Sequence, residues 1–157
     1  MELGGSAGKV QDEARRLALD VTVREMPAST RTAEEAAAAC GVTVGQIVKS
    51  LVFLGCDSGK PYLLLVSGTN RVNESGIAAH LGEGVKRPDG RAVRDLTGFA
   101  IGGIPPFGHD VPLVTFMDQD LLQYDVVWAA AGTPKAVFSA DPKKLQEAVG
   151  AKVISVA

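Results

Sequence analysis

A lysine inside an apolar segment is the first residue of this sequence that could do chemistry. Lys49 lies in the β-branched stretch 47–55, IVKSLVFLG. In a strand, successive side chains point to opposite faces, and both faces of this segment are apolar, so we expect it to be covered on both sides. An ammonium group there is costly unless it reaches water, a partner or an anionic ligand. Lys49 is therefore either a ligand-binding cation or a strand-end lysine that extends to solvent.

A glycine- and proline-rich loop is the second candidate. Residues 102–109 read GGIPPFGH. Gly102 and Gly103 let the backbone approach a ligand and expose N–H groups, while Pro105 and Pro106 stiffen the rest of the loop. Such a loop can bind a carbonyl group or an oxyanion. It lacks the GK[ST] ending of a phosphate-binding loop, and a rigid turn between two elements is the alternative.

Two polar clusters and one histidine give weaker signals. Residues 67–71, SGTNR, follow a predicted strand and precede a predicted helix, where they either bind a ligand or form a turn and a helix cap. Residues 132–135, GTPK, follow the strand of Trp128, which we assign to the core. His109 could act as a base, but no acid partner is recognisable near it in the sequence.

Composition limits the class of protein. The 157 residues are 46% hydrophobic, which is enough for the core of one domain without disulfides. Cys40 and Cys56 form no CxxC motif, and His80 and His109 are far apart, so neither a zinc site nor any other metal or cofactor is predicted. No apolar run approaches the ~18 residues of a membrane span, so we expect a cytoplasmic protein that binds no membrane.

The charges are distributed unevenly. The chain carries 16 basic and 18 acidic residues, a formal charge of −2, which excludes a globally basic nucleic-acid binder. Residues 60–94 nevertheless hold six cations against three carboxylates, whereas residues 95–134 hold no Lys or Arg. This asymmetry indicates either a local basic patch suited to an RNA backbone or a solvated surface of mixed charge.

Helical and strand patterns alternate along the chain. Helices are predicted over 8–19, 33–40, 70–82 and 90–98 and from Pro142 onwards, with Thr32, Asn73 and Asp141 as N-caps. Strands are predicted over 21–26, 47–55, 61–68, 111–117, 124–132, 136–140 and 152–156. Hairpins and crossovers together predict an α/β protein of the α+β type, a single domain over 1–157 with a mixed, largely antiparallel sheet.

Several of these segments together resemble the YbaK family of aminoacyl-tRNA editing domains, relatives of the editing domain inserted in bacterial prolyl-tRNA synthetases. The resemblance is carried by the lysine strand 47–53, the strand end 66–68 and the GGIPPFG loop 102–108, in that order. The turn at 131–132 before DPKKL at 141–145 is also similar. Order and spacing agree over about residues 8–156, nearly the whole chain.

The resemblance implies a single domain with a curved, mostly antiparallel sheet flanked by helices. It also implies hydrolysis of the ester that joins a wrong amino acid to tRNA, often tRNA for proline. Lys49 would position the substrate, while backbone N–H groups near Gly102 and Gly103 would stabilise the developing oxyanion. The residues expected to bind substrate are Ser67, Gly68, Asn70, Ile104, Pro105, Pro106, His109, Gly132 and Thr133. Some members carry a histidine in the loop matching 132–135, and this chain does not.

We therefore expect a trans-acting aminoacyl-tRNA deacylase whose partners are the acceptor end of aminoacyl-tRNA and a prolyl-tRNA synthetase. A non-catalytic module of the same fold that binds tRNA or a synthetase is one alternative. A hydrolase of small esters that does not use tRNA is another. The amino acid removed, the tRNA and the oligomeric state stay open at this point.

Overall fold

The computed structural model describes residues 5–157 and contains an eight-stranded mixed sheet. Residues 1–4 of the predicted domain 1–157 lie outside the described residues. The strand order is β1-β7-β6-β2-β3-β5-β8, and β4 pairs with β2 outside this path. The strands are β1 Arg24–Glu25, β2 Ile47–Gly55, β3 Pro61–Ser67, β4 Val85–Lys86, β5 Val114–Asp118, β6 Val127–Ala130, β7 Ala136–Ala140 and β8 Lys152–Ile154. Four pairings are antiparallel and three are parallel, so the mixed α/β fold is confirmed.

Within residues 5–157, five α-helices flank the sheet, and the N-caps of three of them follow the sequence signals. The helices are α1 Gly5–Arg16, α2 Ala33–Cys40, α3 Glu74–Leu81, α4 Gly90–Thr97 and α5 Pro142–Val149. Thr32 and Glu35 form the predicted capping box of α2. Asn73 and Asp141 accept hydrogen bonds from the first turns of α3 and α5, which confirms both predicted caps. None of the helices within residues 5–157 is long and apolar enough to cross a bilayer.

The two sheet faces are covered by different helices. α1, α4 and α5 pack on the face that carries Val48 and Val52. α3 packs on the opposite face against Phe53, and α2 covers the same face at Ile47. Strand β2 therefore has a core on each side, as its apolar pattern predicts.

The central strand β2 is only partly paired on one of its edges. It pairs with β3 along almost its full length, but with β6 only through Ile47 and Val48. At the other end, β4 pairs only with Leu54 and Gly55. Among the described residues, the stretch 49–53 therefore lies along an open edge in the middle of the sheet, and Lys49 begins it.

Some predicted boundaries were wrong for identifiable reasons. The helix predicted over 8–19 ends at Arg16, and Ala18 takes a left-handed conformation (φ 57°) that stops it. The strand predicted from 111 begins only at Val114, after Pro112, which has no N–H to donate to a ladder. The strand predicted over 21–26 is reduced to Arg24–Glu25, at the sheet edge.

Three further boundaries also moved. The strand predicted over 124–132 spans Val127–Ala130, and the one over 152–156 spans Lys152–Ile154. The two-residue strand β4 lies in the segment 83–90, for which the sequence pattern predicts no strand. Each difference involves a strand end or a very short strand, and the hydrophobic pattern of the sequence predicts such boundaries poorly.

Candidate active site

A cavity of about 240 Å³ opens beside the unpaired edge of β2, at the place where β6 ends. One wall is the N-terminal half of α2, where Ala33 and Ala36 face the cavity. Trp128 of β6 and Ile104 of the glycine loop supply further apolar surface. Small side chains on α2 leave the space free, so the cavity is small, mostly apolar and bordered by strand backbone.

Lys49 lies at this cavity and is half-buried. Its Nζ donates a hydrogen bond of 2.6 Å to the carbonyl oxygen of Asn70. Burial lowers the pKa of Lys49, and the nearby carboxylate of Glu34 opposes that shift. The ammonium group of Lys49 therefore hydrogen-bonds to a neutral carbonyl oxygen, and the lysine also lines the cavity.

The glycine loop meets the cavity through Gly102 and Ile104. Gly102 has a φ of +94°, a conformation that side chains rarely adopt, and a Cβ there would lie 2.5 Å from Cγ of Arg31. The N–H of Gly102 makes no hydrogen bond within residues 5–157. Gly103 is placed differently, because its N–H closes a turn on the carbonyl of Ala100 at 3.0 Å.

The loop at 132–133 packs against the glycine loop at Gly103. The N–H of Gly132 donates to the carbonyl of Gly103 at 2.8 Å. A Cβ on Gly103 would lie 2.9 Å from the backbone of Thr133, so the two loops are in close backbone contact. Thr133 Oγ1 accepts a hydrogen bond of 3.1 Å from the N–H of Ala136. Gly132 and Thr133 therefore hold Gly103 in place and do not line the cavity.

The cluster at 67–70 lies behind Lys49. Ser67 is buried, and its hydroxyl donates to the carbonyl of Gly45 at 2.7 Å. A Cβ on Gly68 would come within 2.2 Å of the Val44 carbonyl oxygen, so only glycine fits there. Asn70 contributes its carbonyl oxygen to Lys49. Of these three residues, Asn70 alone hydrogen-bonds to Lys49 within the described residues 5–157, and none of the three is in the cavity wall.

Pro105, Pro106 and His109 lie away from the Lys49 cavity. Pro106 and His109 line a second cavity of about 230 Å³, on the side of α1 and α5. Nε2 of His109 lies 2.7 Å from the carbonyl oxygen of Pro105 and so carries the hydrogen between them. Burial lowers the pKa of His109. The structure therefore does not bring the predicted histidine together with Lys49.

Sequence reasoning missed Arg31 and Ile101, which lie at the cavity rim. Arg31 is exposed and passes over Gly102, and Ile101 is 51% exposed. Neither residue belongs to a motif of the sequence. The loop that contains Arg31 is brought to the cavity by contacts with residues distant in sequence. One of these is the hydrogen bond of 2.6 Å from the N–H of Thr30 to the carbonyl of Pro134.

Lys49 and Gly102 thus lie at one small, mostly apolar cavity. Comparisons with known proteins identify the class. The aminoacyl-tRNA editing domain family matches residues 27–152, and this chain belongs to that family. The match contains every element that borders the cavity.

Individual relatives agree with this assignment. The uncharacterized protein YwhH of Bacillus subtilis is 30% identical over 133 residues, 83% of each chain. The proposed Cys-tRNA(Pro)/Cys-tRNA(Cys) deacylase EbsC of Enterococcus faecalis is 28% identical over 119 residues, 69% of this chain and 71% of its own. A crystal structure of a proposed trans-editing enzyme for prolyl tRNA synthetase is 49% identical, with a TM-score of 0.92 over 99% of this chain and 98% of that chain.

Proposed function

We propose that this protein hydrolyses the ester between tRNA and a small, wrongly attached amino acid. The observation that carries the proposal is the placement of Lys49 and Gly102 at one cavity, the first supplying a cation and the second a free N–H. Membership of the editing-domain family and the similarity to a proposed deacylase support it.

The cavity suits the amino-acid part of such a substrate. Its volume of about 240 Å³ and its alanine and isoleucine walls favour a compact apolar or weakly polar side chain. A synthetase site rejects an amino acid smaller by one methylene by only about 1–3 kcal/mol, so a second site that selects by size has a clear use. Arg31 at the rim lies where a phosphate near the end of the tRNA could bind.

The chemistry requires positioning more than a covalent nucleophile. Lys49 orients the terminal adenosine and the ester, and the N–H of Gly102 stabilises the oxygen that becomes negative during attack. A water oxygen bonds to the carbonyl carbon, assisted by the free hydroxyl of the ribose. The bond from that carbon to the ribose oxygen then breaks, and a proton passes to the ribose oxygen. The products are a free amino acid and an uncharged tRNA.

We further propose tRNA for proline as the tRNA and a prolyl-tRNA synthetase as the partner whose errors are corrected. The names of two relatives support this choice, since one refers to Cys-tRNA(Pro) and the other to prolyl tRNA synthetase. In this arrangement the synthetase releases the mischarged tRNA, and the protein acts on it in trans.

Deacylation of a panel of charged tRNAs tests the proposal. tRNAs carrying radiolabelled Ala, Cys, Ser, Thr or Pro are incubated with the wild type, Lys49→Ala and Lys152→Ala. Lys152 is the matched control, because it is exposed on β8 at the far end of the sheet. We expect rapid loss of one amino acid, a loss of activity of at least about a hundredfold in Lys49→Ala, and no change in Lys152→Ala.

A Lys49→Ala protein that deacylates at the wild-type rate would exclude the role proposed for Lys49. No turnover on any of the five tRNAs, with tRNA bound at low salt, would instead favour the non-catalytic binding module.

A further inference from the structure

We propose that Asp118 is a positioning residue that fixes the ammonium group of Lys49 through Asn70. Asp118 does not line the cavity, and no motif of the sequence singles it out. The consequence for catalysis rests on the proposed function, whereas the contacts that carry the inference are independent of it.

The topology brings Asp118 to the turn that Lys49 contacts. Strands β3 and β5 are parallel neighbours, so their carboxyl ends meet at one edge of the sheet. Asp118 ends β5 and is only 1% exposed. Its Oδ2 accepts hydrogen bonds from the N–H of Ser67, at 3.1 Å, and from Nδ2 of Asn70, at 2.8 Å. Its Oδ1 accepts from the N–H of Asp120 at 3.0 Å.

Asn70 links this carboxylate to the lysine. Its carboxamide nitrogen donates to Asp118 and also to Oδ2 of Asp120, at 2.7 Å, so both hydrogens have acceptors. With the side chain fixed in this way, the backbone carbonyl of Asn70 receives Nζ of Lys49 at 2.6 Å. Asn70 thus joins Asp118 to the ammonium group, through its side chain on one side and its backbone carbonyl on the other.

Asp118 acts on Lys49 through its charge as well as through Asn70. Both of its oxygens accept hydrogen bonds from N–H donors, which an asparagine, with a single acceptor oxygen, cannot reproduce. The same negative charge favours the charged form of the half-buried Lys49. The other charged groups that act on Lys49 are Glu34 of α2, which also favours that form, and Arg71 and Arg87, which oppose it.

Titration of Lys49 by NMR tests the inference without any tRNA. The protein is labelled with ¹³Cε-lysine, and the Lys49 signal is assigned by its absence in Lys49→Arg. Wild type, Asp118→Asn and Asn70→Ala are compared with Asp141→Asn, a control that alters a similar carboxylate cap, whose hydrogen bonds come from the N–H groups of Lys143 and Lys144 at the start of α5. We expect the pKa of Lys49 to fall in Asp118→Asn and its signal to broaden or shift in Asn70→Ala. We expect no change in Asp141→Asn.

Single-turnover deacylation supplies the second readout. We expect the rate to fall about tenfold in Asp118→Asn, with tRNA affinity unchanged, because Asp118 is buried away from the RNA. Asp118→Asn and Asn70→Ala should be non-additive, since both act on one chain of contacts. Should Asp118→Asn fail to fold, Asn70→Ala decides, because it removes only the link.

An unchanged Lys49 titration in both Asp118→Asn and Asn70→Ala would overturn the positioning role. A changed titration in these variants, together with a wild type that deacylates none of the tRNAs, would sustain the positioning role and refute the proposed function. The two failures are therefore distinguishable.

Discussion

Two adjacent glycines of the loop 102–109 differ in their surroundings. Gly102 lines the cavity, and its N–H makes no hydrogen bond within residues 5–157, whereas a Cβ on Gly103 would lie 2.9 Å from the backbone of Thr133. A flexible arginine side chain can move away from a methyl group at residue 102, but a backbone cannot move so easily from one at residue 103.

Gly103→Ala is therefore expected to lower the free energy of unfolding by about 1–3 kcal/mol, the usual cost of overpacking. Urea unfolding measures this. Gly84→Ala is the control, because its Cβ would meet nothing closer than 3.9 Å. Equal stability of Gly103→Ala and the wild type would show that the two loops do not brace one another.

Glu83 is a second residue whose surroundings give it a specific role. It follows α3 and accepts hydrogen bonds from the N–H groups of Asp57 and Ser58, both at 2.9 Å, from the hydroxyl of Ser58 and from the hydroxyl of Tyr62. Hydrogen bonds from the Ser58 hydroxyl and backbone lead the causes that lower the pKa of Glu83 to about 2. Because this carboxylate ties the segment after α3 to the β2–β3 hairpin, its charged form stabilises the fold.

Stability should therefore depend on the charge of Glu83. A pKa lowered in the folded state means that the stabilisation is complete above the ordinary value of 4.5 and is lost as the pH falls through about 2. Glu83→Gln should reduce the urea midpoint at pH 7, and its difference from wild type should shrink towards pH 2. A difference that stays constant from pH 7 to pH 2 would contradict this account.

At the residue scale, the sequence identified those groups whose local pattern is unusual. Lys49 stood out because a cation interrupts an apolar strand, and Gly102 because glycines precede two prolines. Arg31 and Asp118 have no unusual local pattern, because their positions near the cavity and near Asn70 depend on which loops and strand ends meet in the fold. Asp118 lies in the segment 95–134, which the sequence marks only by its lack of Lys and Arg.

At the element scale, helix α2 decides the size of the cavity. Its sequence AEEAAAAC places alanines towards β2, and Ala33 and Ala36 leave the space in which an amino acid would lie. A helix of larger apolar residues would pack as well against Ile47 but would fill this space.

Ala33→Leu should consequently reduce the deacylation rate for the larger amino acids of the panel at least about tenfold, and affect alanine least. Ala38→Leu is the matched control, because Ala38 is exposed on the same helix. The comparison is made from kcat/KM for each charged tRNA. An equal loss for all amino acids in Ala33→Leu would indicate that this wall does not select by size.

Helices with complete caps were the most predictable elements. α2, α3 and α5 begin at the residues that their N-caps indicate, because a cap is a local arrangement of three or four residues. The sheet order was not predictable in the same way. The parallel pairings of β2 with β6 and of β3 with β5 join segments that are distant in sequence, and these pairings create the cavity edge and the Asp118 contact.

At the scale of the whole molecule, the proposed function requires an acidic protein to bind an acidic polymer. The formal charge is −2, yet Arg71 and Arg87 are near enough to Lys49 to lower its pKa. Arg87 is partly neutralised by Glu74, at 3.3 Å, whereas Arg71 is exposed. A local cation of this kind can bind phosphate even when the net charge is unfavourable.

Binding of tRNA should therefore weaken steeply as salt rises, with a linear dependence of log Kd on log salt concentration. Arg71→Ala should reduce that slope by about 1, the effect of one lost phosphate contact. Lys143→Ala, an exposed cation on α5, should leave it unchanged. A slope that is insensitive to Arg71 would place the RNA on another surface, and affinity without salt dependence would favour the small-ester hydrolase.

The open edge of β2 has a consequence for the exchange of backbone hydrogens with solvent. Along 49–53, alternate amides point towards β3, and the amides between them point into the gap between β6 and β4. The first set should exchange with deuterium only on global unfolding, and the second set far sooner. One buried strand would thus show two exchange rates in strict alternation, and a bound substrate that closes the gap would slow only the faster set.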